Sequence, residues 1–429
     1  MSNNDVADDA VHKAWMLGVC GMGMGPLAIY MRQAGWQVSG WDDALQPPMS
    51  DFLRKENISI EKSFDTTHPP SLAGHSSAVK PGHPLHSFAE THNVRLVRRG
   101  ELLAEIVWKK DLIAVCGSHG KTTTSGMLIQ SLLAAGVDIG YVLGGLYRDA
   151  TISPAKASSG PWVVAEVDES DGTINHFSPE ITVVVNLDWD HPDYYHTEAD
   201  LEAVFISLFK RTRRAIFIPA ESERLARLST VAKVPVFKVG TQGDYGARVV
   251  SSGSSSTRLE LGAGFPGGEI EIPVSGRFNT SNAIMALAVT QYISGRLGVE
   301  PLGRFTGIRR RQDVLFESGG LRVMADYAHH PTEIAALLRF LRENTLGKLV
   351  AVFQPHRHTR TRQYAREFAD ALKQADTVLL MPVYSAGEAP VEGGTSDSVF
   401  CAAAANPNFF LLLDEKELRA RLDDFSSDD

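Results

Sequence analysis

Long apolar runs are missing from this chain. No stretch approaches the ~20 consecutive apolar residues that a bilayer-spanning helix needs, so the sequence predicts no membrane partner. Cysteine is scarce: Cys20, Cys116 and Cys401 are the three among 429 residues. An odd, sparse count supplies no disulfide framework and fits a reducing, cytoplasmic setting. A basic excess is also absent. Lys and Arg number 42 against 51 Asp and Glu, a formal net charge of −9. That balance argues against the broad positive face nucleic acid requires, while leaving room for local basic pockets that take small anions. The residues from Met1 to Ala10 are polar and acidic, without the basic and apolar regions of a secretory leader. No repeat of solenoid or propeller period is present.

What is there looks like a soluble globular protein of several domains. Hydrophobic residues make up 43% and charged residues 22%, close to the globular norm. The length exceeds one core and fits two to four domains at about 100–200 residues each. Three segments of alternating strand and helix pattern stand out. They predict an α/β chain of three domains. A Rossmann-like N-terminal domain spans 1–108, a central P-loop-type ATPase domain with a mostly parallel sheet spans 109–311, and a Rossmann-like C-terminal domain spans 312–429.

In the first segment a strand near Trp15–Val19 runs into Gly21-Met22-Gly23-Met24-Gly25, then a helix ending before Gly35 and a strand at Val38–Trp41. Glycines after a strand let backbone N–H groups approach a diphosphate. Asp42, about 20 residues on, stands where a ribose-binding acid would. Position 26 is Pro, so the dinucleotide fingerprint is incomplete, and a nicotinamide oxidoreductase reading rests on this turn alone.

The second segment opens on the strand Leu112–Cys116, followed by Gly117-Ser118-His119-Gly120-Lys121-Thr122-Thr123 and a helix. Its glycines, a lysine able to reach β/γ-phosphates and a hydroxyl for Mg²⁺ make a phosphate loop, though Val115 stands where the full Walker pattern starts. Two further apolar strands end in polar clusters, Glu166 with Asp168, Glu169 and Asp171, and Asn186-Leu187-Asp188-Trp189-Asp190-His191. Ligands of open α/β sheets gather at such strand ends. Glu166 is therefore the first choice for Mg²⁺, and His191 would bind a second metal or orient a phosphate. Arg258–Leu261 and its neighbours predict an antiparallel patch, and Leu321–Ala325, Leu349–Phe353 and Thr377–Met381 predict a second doubly wound sheet in the third segment. There Asp326-Tyr327-Ala328-His329-His330-Pro331 and Gln354-Pro355-His356-Arg357-His358-Thr359-Arg360 follow strands, a cationic cluster in an acidic protein. Arg forks suit carboxylate and phosphate.

Together these motifs resemble the Mur ligase family along nearly the whole chain. Residues 117–124 resemble its GTHGKTTT loop, with Ser118 for Thr. EVDESD at 166–171, NLDWDH at 186–191, Asn279 and Asn282, and GIRRR at 307–311 match further family elements. DYAHHPTEI, FQPHRHTRTR and VYSAGEAP are similar to the alanine-adding members. Cys20 and the Pro47–Ser50 stretch lean instead toward members that reattach a tripeptide to the same UDP-sugar acid.

The resemblance implies ATP-dependent ligation of L-alanine to UDP-N-acetylmuramate through an acyl phosphate. ATP would be held by Gly117, Ser118, His119, Gly120, Lys121, Thr122, Thr123, Asn279, Asn282, Arg310 and Asp326. Mg²⁺, or Mn²⁺ in its place, would be held by Thr122, Glu166 and His191. Gly21, Met22, Gly23, Met24, Asp42, Ser76 and Ser77 would hold the UDP-sugar, and Tyr327, His329, Arg357 and Arg360 the amino acid. Lys121, Glu166, His191, His330, Arg357 and Arg360 would carry the chemistry, in a monomer or weak homodimer. Two positions depart from the family: Phe278 replaces the usual His before Asn279, and Ala325 the usual first Asp before Asp326. These departures motivate a third reading, a nucleotide-binding regulator without catalysis.

Overall fold

The computed structural model describes residues 12–45, 47–61, 67–76, 79, 82–170, 172–189, 194–253, 255–404 and 406–423. Ser77, Asp171, Asp190 and His191 lie outside them.

The first sheet holds β1 (Lys13–Leu17), β2 (Gln37–Trp41), β3 (Ser59–Ile60), β4 (Leu72–His75) and β5 (Arg95–Arg98). All its pairings are parallel, in the order β3-β2-β1-β4-β5. The order reverses beside β1, so the glycine turn after β1 opens into the crevice where such sheets bind ligands. The helix Met24–Gln33 is buried at every position from Met24 to Met31. An all-round apolar helix must be covered on more than one side. Here it packs on its own sheet and also against the second one: Tyr30 lies beside Gly140, and the Gln33 side-chain oxygen accepts the Ala157 N–H at 2.9 Å. One continuous core therefore joins Met16, Leu27 and Ile29 of the first sheet to Leu112, Val163 and Phe205 of the second.

The second sheet holds β6 (Asp111–Cys116), β7 (Ile139–Val142), β8 (Ala155–Lys156), β9 (Trp162–Glu166), β10 (Ile181–Val184), β11 (Ala215–Pro219) and β12 (Val236–Val239). Its order is β12-β11-β10-β6-β9-β7-β8, and the β7–β8 pairing alone is antiparallel. β6 is central, flanked by β9 and β10, so three loops meet at one edge: the phosphate loop, the Glu166 loop and the Asn186 loop. The helices Lys121–Ala134 and Arg277–Ser294 pack on the other face of this sheet through a second core that includes Leu128, Ile129, Ala286 and Val289. The expected antiparallel patch is β13 (Ala247–Ser252), β14 (Thr257–Leu261) and β15 (Gly268–Ile272).

The third segment differs from expectation in one strand. β18 (Val350–Phe353), β19 (Thr377–Leu380) and β20 (Phe409–Leu411) form a parallel sheet. Leu321–Ala325 does not join it. As β17 it pairs antiparallel with β16 (Asp313–Ser318). The cause is local: Gly319 and Gly320 both have positive φ, 59° and 85°, as a two-residue hairpin turn of type I′ requires. The helices Pro331–Glu343 and His358–Leu372 cover the parallel sheet, with Phe353, Phe368 and Leu380 in a separate core.

Candidate active site

The phosphate loop is shaped by what surrounds it. Gly117 has φ 122°, and a Cβ there would lie 2.6 Å from the Asn186 carbonyl oxygen. Gly120, at φ 80°, begins the helix Lys121–Ala134 in the left-handed region. Asn186 grips the loop between them. Its side-chain oxygen accepts the His119 N–H at 2.8 Å, and its amide donates to the His119 carbonyl at 2.8 Å. Ser118 donates to the Asp188 carbonyl at 2.7 Å and its hydroxyl accepts the Asp188 N–H at 2.9 Å. The loop is thus held by the strand end next to it, and the first N–H groups of the helix stay available to an anion.

An acidic wall faces it. Lys121 Nζ donates to the Gly117 carbonyl at 2.8 Å and to both Glu169 oxygens at 3.0 and 3.1 Å, with Asp168 at 3.6 Å. Burial alone would lower the Lys121 pKa, but Glu169, Asp168 and Glu166 outweigh it, and the net shift is upward. The ammonium is a fixed positive charge. Glu166 accepts from the Thr122 hydroxyl at 2.9 Å and from the Gly144 N–H at 2.6 Å. Burial nevertheless raises its pKa, the two hydrogen bonds and Lys121 offsetting only part. A buried carboxylate in that condition is a group a cation would stabilise.

The third segment reaches this loop directly. The His119 ring, almost fully buried, has Nε2 3.1 Å from Asp188 and Nδ1 3.2 Å from Glu333, and lies 4.8 Å from the His330 ring. Burial would lower the His119 pKa, but the two carboxylates bring it up to about 9. Burial would raise Glu333, but His119, His329 and Arg311 hold it well below the ordinary carboxylate range. Tyr364 donates to the Trp189 carbonyl at 2.8 Å across the same junction.

Beyond this junction, Tyr327, His329, His356 and Tyr384 form a ring cluster with centroids 5.3–6.3 Å apart. The Arg310 and Arg311 guanidinium groups lie 4.9 and 5.4 Å over the Tyr327 ring. Burial, then Arg360 and Arg357, push His356 down to about 4, so it stays neutral among arginines. Arg357 has φ 73°, donates its N–H to the Tyr384 carbonyl at 2.8 Å and sits 3.6 Å from Glu388. Arg360 is buried. Asp326 spends both oxygens on the backbone, accepting Gln312 N–H and Ala328 N–H at 2.7 Å each. A cavity of about 620 Å³ lies against Arg310, Tyr327, His329, His356 and Tyr384.

A larger cavity, about 850 Å³, opens beside the loop between Asn282, Phe278, Phe340 and Asn344. Asn282 lies against Gly120, and Phe278 is half exposed. Asn279 turns aside, donating to Gln312 at 3.0 Å. In the first segment Gly21 and Gly23 line the turn, and Arg99 packs on Gly23 and stands 3.9 Å from Asp168. Met22 is exposed, whereas the Met24 side chain is buried in the core, leaving only its backbone for a ligand. Asp42 braces the turn, accepting Cys20 N–H at 2.8 Å and Ala44 N–H at 2.9 Å. Ser76 stands at the end of β4, its carbonyl accepting the Val79 N–H. The structure thus brings Lys121, Thr122, Glu166, His119 and His330 together. Sequence reading left out Glu333, Asn186, Asp188 and Arg99 as site residues. Asn186 and Asp188 already stand in the polar cluster after an apolar strand, and Glu333 in the DYAHHPTEI element; what the sequence does not mark is that Glu333 meets His119.

Comparison with known proteins agrees along the chain. The model of the Mur ligase family catalytic domain matches residues 14–110, that of the Mur ligase middle domain residues 115–290, and that of the Mur ligase glutamate ligase domain residues 310–427. A UDP-N-acetylmuramate–L-alanine ligase of Kineococcus radiotolerans is 38% identical over 87% of this chain and 82% of its own length. The crystal structure of the UDP-N-acetylmuramate–alanine ligase of Thermotoga maritima superposes with a TM-score of 0.76 at 26% identity, over 95% of this chain and 91% of that one. A murein peptide ligase from Psychrobacter arcticus shares the fold, with a TM-score of 0.72 at 23% identity over 96% and 92%.

Proposed function

The chain belongs to the Mur ligase family, and from that premise we propose that it joins L-alanine to UDP-N-acetylmuramate at the expense of ATP, a step in peptidoglycan precursor synthesis. The observation that carries the site reading is the meeting of two surfaces: the phosphate loop, with Lys121 and Thr122, and the third domain's helix start at His330 and Glu333, joined through His119.

The residues divide the work. Gly117 to Thr123 and the helix start behind them cradle the ATP phosphates, and the cavity at Asn282 and Phe278 takes the base. Phe278 offers a stacking face where the family usually has an imidazole. The substrate carboxylate attacks the γ-phosphorus: a carboxyl O–P bond forms, the bond to the β-phosphate bridging oxygen breaks, and ADP leaves. Lys121, fixed by Gly117 and Glu169, stabilises the charge that builds on the transferred phosphoryl group. The alanine amine then attacks the acyl carbon, the C–N bond forms, and phosphate departs with the C–O electrons and takes up the proton that the amine gives up. Arg357 and Arg360 hold the alanine carboxylate or the oxyanion. Tyr327, His329 and His330 orient the amine. The glycine turn and Arg99 receive the diphosphate of the UDP-sugar.

Thr122 and Glu166 fit a magnesium ion: both are oxygen donors at the phosphate loop, and Mg²⁺ is usually held by one or two carboxylates plus substrate phosphates. When bound, the ion would neutralise phosphate charge. His191, outside the described residues, is proposed as a further ligand. The deciding assay is phosphate release from ATP with UDP-N-acetylmuramate and Mg²⁺ while amines are varied. L-alanine should drive it; release driven by a murein tripeptide and not by alanine would replace this reading.

A further inference from the structure

We infer that Glu333 is a positioning residue for amide formation: paired with His119, it sets the third domain's amine pocket in register with the phosphate loop. The inference rests on the ligase reading above.

Glu333 is the third residue of the helix Pro331–Glu343 and closes a capping box with His330. A carboxylate with only that duty belongs on the open first turn of its helix, where Glu and Gln serve equally. This one is 12% exposed. One oxygen is 3.2 Å from His119 Nδ1, with Arg311 at 3.9 Å; the other accepts the His329 N–H at 3.0 Å, with the His329 ring at 3.3 Å and the His330 N–H at 3.3 Å. A buried carboxylate is kept ionised only by well-placed cations and donors. Here one of those cations belongs to the phosphate loop and the donors belong to the segment that carries Tyr327, His329 and His330. The His119 backbone is held on both sides by Asn186, and its other ring nitrogen lies 3.1 Å from an Asp188 oxygen. The position of the loop is therefore passed through one imidazole to one carboxylate, and from there to the backbone of the amine pocket.

Misplacement of reacting groups by about 1 Å can cost about 100-fold in rate, so the expected signature lies in turnover and not in ATP binding. Glu333→Gln keeps the cap but cannot neutralise the His119 cation. Assayed well below the melting transition, its kcat for alanine-dependent phosphate release should fall by roughly 10- to 100-fold with KM for ATP close to wild type, while the melting temperature drops because the buried His119 charge loses one of its two counter-ions. His119→Asn, which leaves the cap untouched, should lose turnover similarly, and the double variant should be no worse than either single one. Small-angle scattering of the protein alone gives a readout independent of substrate identity: Glu333→Gln should have the larger radius of gyration. Wild-type kcat in either single variant, or losses that multiply in the double, would overturn the inference. Should wild-type protein prove inactive with alanine, the ligase reading fails, while an unchanged scattering profile would by itself refute the coupling.

Discussion

The ammonium of Lys121 sits 3.0 Å from one oxygen of Glu169 and 3.1 Å from the other, and the Glu169 side chain is buried. The lysine therefore has two duties, to the phosphates and to a carboxylate that water cannot reach. Lys121→Ala should abolish phosphate release and also lower stability by about 3 kcal/mol, because a buried charge loses its counter-ion. Lys121→Met with Glu169→Gln should recover the stability in a urea titration without recovering turnover. Normal turnover in Lys121→Ala would remove the phosphate role.

Stability should decline on the alkaline side. His119 has its pKa raised from 6.5 to about 9. A group raised on folding contributes in full below its unfolded value, and the contribution fades as pH rises through the folded value. The melting temperature should thus fall between pH 7 and pH 9 in wild type. His119→Asn should flatten that slope; an equal slope in both proteins would show that another group titrates there.

Arg357 combines a left-handed backbone, φ 73°, with a guanidinium 3.6 Å from Glu388. The two contributions separate by substitution. Arg357→Gly removes the charge and relieves the backbone, whereas Arg357→Ala removes the charge and keeps the strain of about 1 kcal/mol. Both should raise KM for alanine at least tenfold, with Gly the more stable variant by thermal melting. Alanine saturation unchanged in the Gly variant would move the carboxylate site elsewhere.

Asn186 makes two hydrogen bonds to one loop residue. Asn186→Ala should leave both backbone groups of His119 short of a partner, at about 1–3 kcal/mol, and weaken ATP binding measured by calorimetry. Gly117→Ala should be worse, because its Cβ would press on the Asn186 carbonyl. Wild-type ATP affinity in both variants would separate this grip from nucleotide binding.

Much of the architecture could be read from the chain because strand ends deliver the chemistry. Apolar runs ending in Glu166 and Asn186 are flanked by turn residues, which marks them as strands; their place on either side of β6 is a matter of sheet order, which the fold supplies. Glycine sets a boundary that apolar pattern alone leaves open: the helix Arg277–Ser294 starts directly after Gly276 at φ 85°. The Gly319-Gly320 pair was a hairpin signal left unused, which is why Leu321–Ala325 was placed in the wrong sheet. Glu333 stands in the DYAHHPTEI element, but its role could not be found from sequence, since HHPTE reads equally as an ordinary helix start. Its partner lies more than two hundred positions away, and only the fold brings them together. Asp42, which spacing suggests as a ribose ligand, also has a local duty that the sequence does not show: its oxygens accept the Cys20 N–H beside the turn and the Ala44 N–H.

The shared core around the helix Met24–Gln33 welds the first two sheets into one body, whereas the third has a core of its own. The two boundaries therefore differ in kind: the first is sealed by apolar packing, whereas the second is a short backbone run in which Arg310 and Gln312, non-glycine residues, have φ 59° and 46°, tied down by the Arg148 guanidinium, which holds the Arg311 carbonyl at 2.9 Å and Asp313 at 3.0 Å.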